Sequence, residues 1–246
     1  MHSRSIPAAL LVTLCTLVLV ACGRGSEIQQ APAETIYEQG LRNLEGGNYR
    51  NAIAYFEHLE ARFPFSNAAR QAQIDLIYAY YRNGQKESAI DAADQFIREH
   101  PTHPRVDYAL YMQGLIYFDR TPNRFDRLLR IDLDKRPPQD TMRSFSAFQQ
   151  LAQRYPDSEY VPDARERMVY LRNRLAAYEV TVAEYYMRRG AYVAALNRSR
   201  YCIERYAGAP ATEEALHIKM RAYERLGMRD MAANVRAVID ENFPRS

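Results

Sequence analysis

A twelve-residue frame recurs four times along this chain and limits what it can fold into. A small residue is followed four positions later by a second side chain, and eight positions after that by proline. The sets are Ala52, Phe56 and Pro64; Ala89, Ala93 and Pro101; Ser144, Phe148 and Pro156; and Ala232, Arg236 and Pro244. A step of four keeps two side chains on one helical face, and a proline past the last turn ends the helix. The stretch from Asn67 to Pro101 shows the whole unit. Ala72, Leu76, Ile77 and Tyr80 fall at helical spacing, then Ala89, Ile90, Ala93, Phe96 and Ile97 do so again, with Asn83-Gly84 between the two runs.

The turn glycines keep the same register. Gly47 and Gly84 are 37 residues apart, as are Gly190 and Gly227, while Tyr80, Tyr117, Tyr186 and Tyr223 share one slot of the first helices. This is the pattern of the tetratricopeptide (TPR) repeat, a helix–turn–helix unit with a consensus period of about 34 residues. The three extra residues lengthen the turn between repeats, as in Pro64-Phe65-Ser66-Asn67. The expected fold is all-α, an α-solenoid of five TPR helix pairs, with repeats at about 34–66, 67–103, 104–157, 158–208 and 209–244. A small residue suits a close helix crossing, and an aromatic one turn later fills the space beside it.

The period breaks once. Pro101 predicts a closing proline at 138, but the matching one is Pro156, so the third repeat carries an insertion of 18 residues. The insert, about Arg120 to Asp140, interleaves five arginines, a lysine and four aspartates with Phe125, Leu128, Leu129, Ile131 and Leu133. Insertions in solenoids lie on one face, where a loop folded on its own repeat and a partner contact are both open readings. Beyond it, Pro162 to Arg189 contains no turn residue. Ala164, Met168, Leu171, Leu175, Tyr178, Val182 and Tyr185 alternate steps of four and three, a heptad seam on a helix of about 40 Å.

The first 21 residues differ in kind. Arg4 precedes an apolar run from Ala8 to Val20 with no acidic residue, which reads as a secretory signal and is shorter than the roughly 20 residues a spanning helix needs. The run ends in Leu19-Val20-Ala21-Cys22, which resembles a lipobox. The expectation is cleavage before Cys22, acylation (palmitate among the chains) of that cysteine, and a tether over 22–33 leading to the solenoid at 34–244. Gly23, in place of the aspartate that would retain such a lipoprotein at the inner membrane, favours the outer membrane facing the periplasm. Cys15 leaves with the signal, so Cys202 stands alone, with no disulfide partner, as a buried core residue.

Charge and motifs exclude several classes. The net charge of +3 is too small to argue for nucleic acid. His58, His100, His103 and His217 stand in no metal spacing, and no nucleophile elbow, P-loop or dinucleotide fingerprint appears. No catalytic residue, metal site or cofactor is expected. Charge is uneven, however: Glu34 to His100 holds 7 basic and 10 acidic residues, and Tyr160 to Pro210 holds 9 arginines against 5 acids. The best candidate for function is the concave face of the first helices. Tyr37, Leu41 and Leu44, then Ile74, Tyr78 and Tyr81, then Tyr108, Tyr111, Leu115 and Phe118 fall there by the repeat frame. Tyrosine offers a wide apolar face with a polar tip, which suits peptides bearing aromatic side chains.

Three segments go beyond the repeat frame: RFPFSNAARQAQIDLIYAYYRNG, FIREHPTHPRVDYALYMQGL and YEVTVAEYYMRRGAYVAALNR. With the lipobox and the broken third repeat, they resemble the BamD (ComL) family, TPR lipoproteins of the outer-membrane β-barrel assembly (BAM) machinery. The resemblance covers nearly the whole mature chain and implies a non-enzymatic scaffold. It implies that the N-terminal repeats receive the C-terminal targeting strand of unfolded outer-membrane proteins. It also implies that the C-terminal repeats, including Arg189 and Arg198 of RRGAYVAALNR, dock on a POTRA domain of BamA. The lipoproteins BamC and BamE are further implied partners. One departure is the segment RIDLDKRPPQD, charged and proline-rich where the family has a longer, glycine-containing loop. Another TPR lipoprotein, such as a secretin pilotin, is the alternative reading; an enzyme of cell-wall metabolism finds no span for a catalytic domain.

Overall fold

The computed structural model describes residues 31–120 and 138–244. Cys22 and most of the insert therefore lie outside the described residues. Among those described there are ten helices: α1 (Ala33–Glu45), α2 (Tyr49–Arg62), α3 (Asn67–Arg82), α4 (Lys86–Glu99), α5 (Val106–Arg120), α6 (Gln139–Arg154), α7 (Val161–Arg188), α8 (Tyr192–Arg205), α9 (Thr212–Arg225) and α10 (Arg229–Asn242). They form five successive pairs, the all-α TPR arrangement expected. Two compact units divide the chain, up to Ala92 and from Ala93 onward, with the boundary inside α4.

In the N-terminal unit, α1 ends in a Schellman motif. Gly47 takes φ +75°, its N–H donates to the Leu44 carbonyl at 3.1 Å, and Asn48 N–H donates to that of Asn43 at 2.8 Å. The α3 terminus repeats this with Gly84, and Gln85 N–H reaches the carbonyl of Tyr80 at 2.9 Å. Tyr186 and Tyr223 accept the equivalent bonds from Ala191 and Met228. The recurring tyrosine thus marks the last closed turn of its helix. Ile36, Ala52, Phe56, Leu59, Ala69, Ala72 and Leu76 form the core of this unit.

The aromatic of the frame and a glycine of the preceding helix work as a clamp. A Cβ at Gly40 would lie 2.4 Å from the Phe56 ring, so α1 and α2 approach as closely as they do only because that position is glycine. The C-terminal unit repeats the device across α5 and α6, where a Cβ at Gly114 would lie 2.5 Å from Phe148. Ser144 completes it, donating its hydroxyl to the Gly114 carbonyl at 2.8 Å with no exposed surface.

The long helix α7 runs for 28 residues, about 42 Å. Its buried stripe begins as the heptad seam predicts, with Ala164, Leu171 and Leu175, then moves to Ala176, Glu179 and Ala183, leaving Tyr185 48% exposed. A straight helix of 3.6 residues per turn drifts by about 20° per heptad against a 3.5 repeat. Over two heptads the seam therefore turns away, and the later stripe meets α8 and α9. Cys202 of α8 is buried at the crossing with α7. Its Sγ donates to the Ala176 carbonyl at 3.6 Å, and burial pushes the thiol up to about 12.

Candidate functional site

The tyrosines singled out on the first helices fall in both units, and the two that share a slot, Tyr37 and Tyr111, each donate a hydroxyl to an aspartate. In the N-terminal unit Tyr37 is half-buried, its ring 5.9 Å from Phe56 and its hydroxyl donating to Asp75 at 2.8 Å. Leu44 packs partly into the same core, and Leu41 is half-buried. Ile74 corrects the sequence reading: it is 1% exposed and offers no surface to a ligand. The reason is that α3 is covered on several sides, burying Ala68, Ala69, Ala72, Leu76, Ile77 and Ala79 as well.

Tyr78 and Tyr81, by contrast, are half-exposed. Tyr78 belongs to a cluster that periodicity did not reveal. The Tyr49 ring meets it edge-on at 6.4 Å, and the Arg82 guanidinium lies over both rings, 4.9 Å from Tyr49 and 5.4 Å from Tyr78, while donating to the Tyr78 hydroxyl. A cation over two aromatic faces is held in place and still presents N–H donors at its edge. Arg82 follows Tyr78 by four in the same helix, a legible spacing, but Tyr49 comes from α2 and only folding brings it there.

In the C-terminal unit the residues of α5 form an unbroken ladder with α7. Arg105 lies 4.6 Å over Tyr108, Tyr108 meets Tyr160 at 5.7 Å, and Tyr160 stacks on Tyr111 at 4.8 Å with an interplanar angle of 22°. Tyr111 donates its hydroxyl to Asp163 at 2.9 Å, Asp163 pairs with Arg167 at 2.6 Å, and Arg167 lies 4.8 Å over Phe118. Phe118 in turn meets Tyr170 at 5.7 Å. Leu115 is half-buried on the same helix. The Arg167 hydrogen bond holds the Asp163 carboxyl below its ordinary range despite burial. Burial, then the bond to that carboxylate, raises the Tyr111 hydroxyl. Tyr160, Asp163, Arg167 and Tyr170 were not foreseen, because they belong to the next repeat.

Arg189 and Arg198 lie at the end of α7 and on α8. Arg189 is exposed, its guanidinium 5.7 Å from the Tyr185 ring centroid. Arg198 donates to Glu179 at 3.2 Å, with the arginine side chain 45% exposed and the carboxylate 8% exposed. Burial raises the Glu179 carboxyl against the opposing pull of Arg198. A carboxylate inside the apolar stripe of Leu175, Ala176 and Ala183 was the available signal for such a partner.

Among the described residues no cluster of three or more histidine, cysteine or acidic side chains is placed to hold a metal. No helix there is long and apolar enough to cross a membrane. What the two units offer chemically is aromatic faces edged by arginine, a vocabulary of recognition.

Comparison with known proteins gives the family. A family model described as an outer membrane lipoprotein (YfiO) matches residues 29–238. The outer membrane protein assembly factor BamD of Neisseria meningitidis serogroup A is 40% identical over 244 residues, covering 96% of this chain and 91% of the relative. BamD of Pasteurella multocida is 34% identical over 243 residues, with 99% and 94% covered. That of Vibrio cholerae is 34% identical over 230 residues, with 93% and 95% covered. The chain belongs to the BamD (YfiO) family of outer-membrane protein assembly factors.

Proposed function

We propose that this protein is a non-enzymatic scaffold of outer-membrane protein assembly, anchored through acylated Cys22 to the periplasmic face of the outer membrane. The likeness to assembly factors named BamD over nearly the whole chain carries this reading. The N-terminal repeats, through Tyr37, Tyr78 and Tyr81 with Tyr49 and Arg82, receive the C-terminal targeting strand of unfolded outer-membrane β-barrel proteins. In the C-terminal unit, Tyr108, Tyr111 and Phe118 are a second set of receptor residues. The C-terminal repeats dock on a POTRA domain of BamA through Arg189 and Arg198, and BamC and BamE are further partners. Binding free energy rather than bond chemistry does the work. A barrel strand carries unpaired backbone edges and aromatic side chains, and holding it beside the insertion site raises its effective concentration there.

The test is a pull-down of the tagged, lipidated protein from detergent-solubilised membranes, with Arg198→Glu alongside. A POTRA-containing barrel protein should co-purify and be reduced by the substitution. Recovery of a secretin in its place would leave the fold intact and overturn the function. Substituting Tyr78 and Tyr111 by alanine should weaken binding of barrel-derived terminal peptides; equal binding would move the receptor site elsewhere.

A further inference from the structure

Phe65 is 94% exposed, the most exposed of the large apolar side chains among the described residues. A loosely held turn does not explain it. The Ser66 N–H donates to the Phe63 carbonyl at 3.0 Å, and the Ser66 hydroxyl accepts from Ala69 N–H at 3.0 Å, capping α3. Pro64 fixes one further backbone angle. Of the two phenylalanines flanking that proline, Phe63 packs against the unit's core with Arg62 5.0 Å over its ring, and Phe65 is held outward. The repeat frame does not demand an aromatic there. The residue after the closing proline is Thr102 in the second repeat and Asp157 in the third, both polar and exposed.

The position of this turn in the fold gives the exposure a use. The 13-residue α1 and the 14-residue α2 are joined by a three-residue turn and pack side by side, each about 20 Å long. The chain therefore returns, at turn 63–66, to the end of the hairpin where it came in at Ala31. Ala31 and Phe63 pack against the same core cluster. Nine residue steps separate Ala31 from Cys22, which span about 30 Å at full extension.

We propose that turn 63–66 is a lipid contact, with Phe65 inserted at the headgroup–acyl boundary of the leaflet that holds the Cys22 anchor. This rests on the lipid-anchor reading of Cys22. A single phenylalanine would not bind a bilayer from solution, but for a protein already tethered the contact is intramolecular and needs only a small favourable term to set orientation. The tethered N-terminal unit then sits on the membrane by this end, leaving the Tyr78 face open.

The chain contains no tryptophan, so Phe65→Trp creates a single intrinsic reporter. Gln85→Trp, at an exposed turn at the opposite end of α3, is the control. Both are prepared as lipidated protein in phosphatidylethanolamine–phosphatidylglycerol vesicles and separated by flotation. Expected are a blue-shifted emission for Phe65→Trp, its quenching by lipids brominated on the acyl chains, and solvent-like, unquenched emission for Gln85→Trp. A protein that floats while Phe65→Trp stays solvent-exposed overturns this contact and leaves the anchor standing. Failure to float overturns the anchor and the contact together. A blue shift that needs an added protein partner and shows no bromolipid quenching overturns the lipid assignment, as does equal quenching at both positions.

Discussion

The two units share one clamp and differ in what surrounds it. Gly40 under Phe56 and Gly114 under Phe148 bring the helices of the first and third pairs equally close. At similar burial, Tyr78 in the N-terminal unit meets Tyr49 edge-on beneath Arg82, whereas in the C-terminal unit Tyr111 is stacked on Tyr160 and bonded to Asp163. The frame within a repeat sets its backbone. By the 37-residue period Tyr111 shares its slot with Tyr37, whose hydroxyl also donates to an aspartate, while the slot of Tyr78 holds Leu115. The units therefore differ in which slot keeps its tyrosine, and in the Tyr160 ring that stacks on Tyr111.

Breaking the clamp should have the largest effect. Gly40→Ala and Gly114→Ala each force a methyl into a phenylalanine ring and should destabilise by about 2–3 kcal/mol, read as a lower urea midpoint. Gly84→Ala at φ +80°, with nothing within 4 Å of the added Cβ, should cost only the left-handed backbone penalty, about 1–2 kcal/mol. Equal effects at all three positions would mean that close approach is not what the clamp glycines supply.

The tyrosines should separate next. Tyr111→Ala loses the Tyr160 stack and the Asp163 bond and should cost about 2 kcal/mol of stability. Tyr78→Ala loses the Tyr49 contact and the Arg82 cation over its ring and should cost about 1 kcal/mol of stability, with its larger effect in peptide affinity.

Ion pairs sharpen the same contrast on a smaller scale. Glu38 and Arg42 in α1 lie 3.7 Å apart with 65% and 63% of their side chains exposed, and a double-mutant cycle should give about 0.3 kcal/mol. Asp163 and Arg167, at the same spacing in α7 but 2.6 Å apart and 43% and 28% exposed, should give closer to 1 kcal/mol.

Two carboxylates of α7 should respond to pH with opposite sign. Asp163 has its folded pKa depressed by Arg167, so its contribution is present above the unfolded value of about 3.9 and is lost as pH falls through the folded one. Glu179 has its folded pKa raised by burial, so the folded state holds the extra proton in the window above the unfolded value of about 4.3. There stability falls as pH rises. Urea titrations should therefore show the penalty of Asp163→Asn shrinking below about pH 4. Glu179→Gln should gain on the parent from about pH 4.5 toward neutrality. Parallel pH profiles would remove Glu179 as a carboxylate that pays for its burial.

Much of the fold was legible because repeats restate themselves. The glycine turns, closing prolines and clamp aromatics each appear more than once, and each has a local cause in capping or close packing. The candidate sites were only half legible. Tyr78, Tyr111 and Phe118 follow from helical spacing, but Tyr49, Tyr160 and Tyr170 reach them from other helices, and no spacing rule connects α5 to α7. Ile74 was misread because periodicity assigns a face to a residue without saying how many faces its helix buries. Arg198 was legible as part of a positive segment; its pairing with Glu179 was not, since the two are 19 residues apart on separate helices.

The most direct test of the division of labour measures two affinities for each of two variants. Lipidated Tyr78→Ala and Arg198→Glu proteins, with melting temperatures recorded alongside, would be assayed against a barrel-derived C-terminal peptide and against the POTRA-containing partner. The expected result is a crossed pattern: Tyr78→Ala loses peptide and keeps the partner, and Arg198→Glu does the reverse. Loss of both affinities in either well-folded variant, or of neither in both, would contradict the assignment of separate faces to substrate and partner.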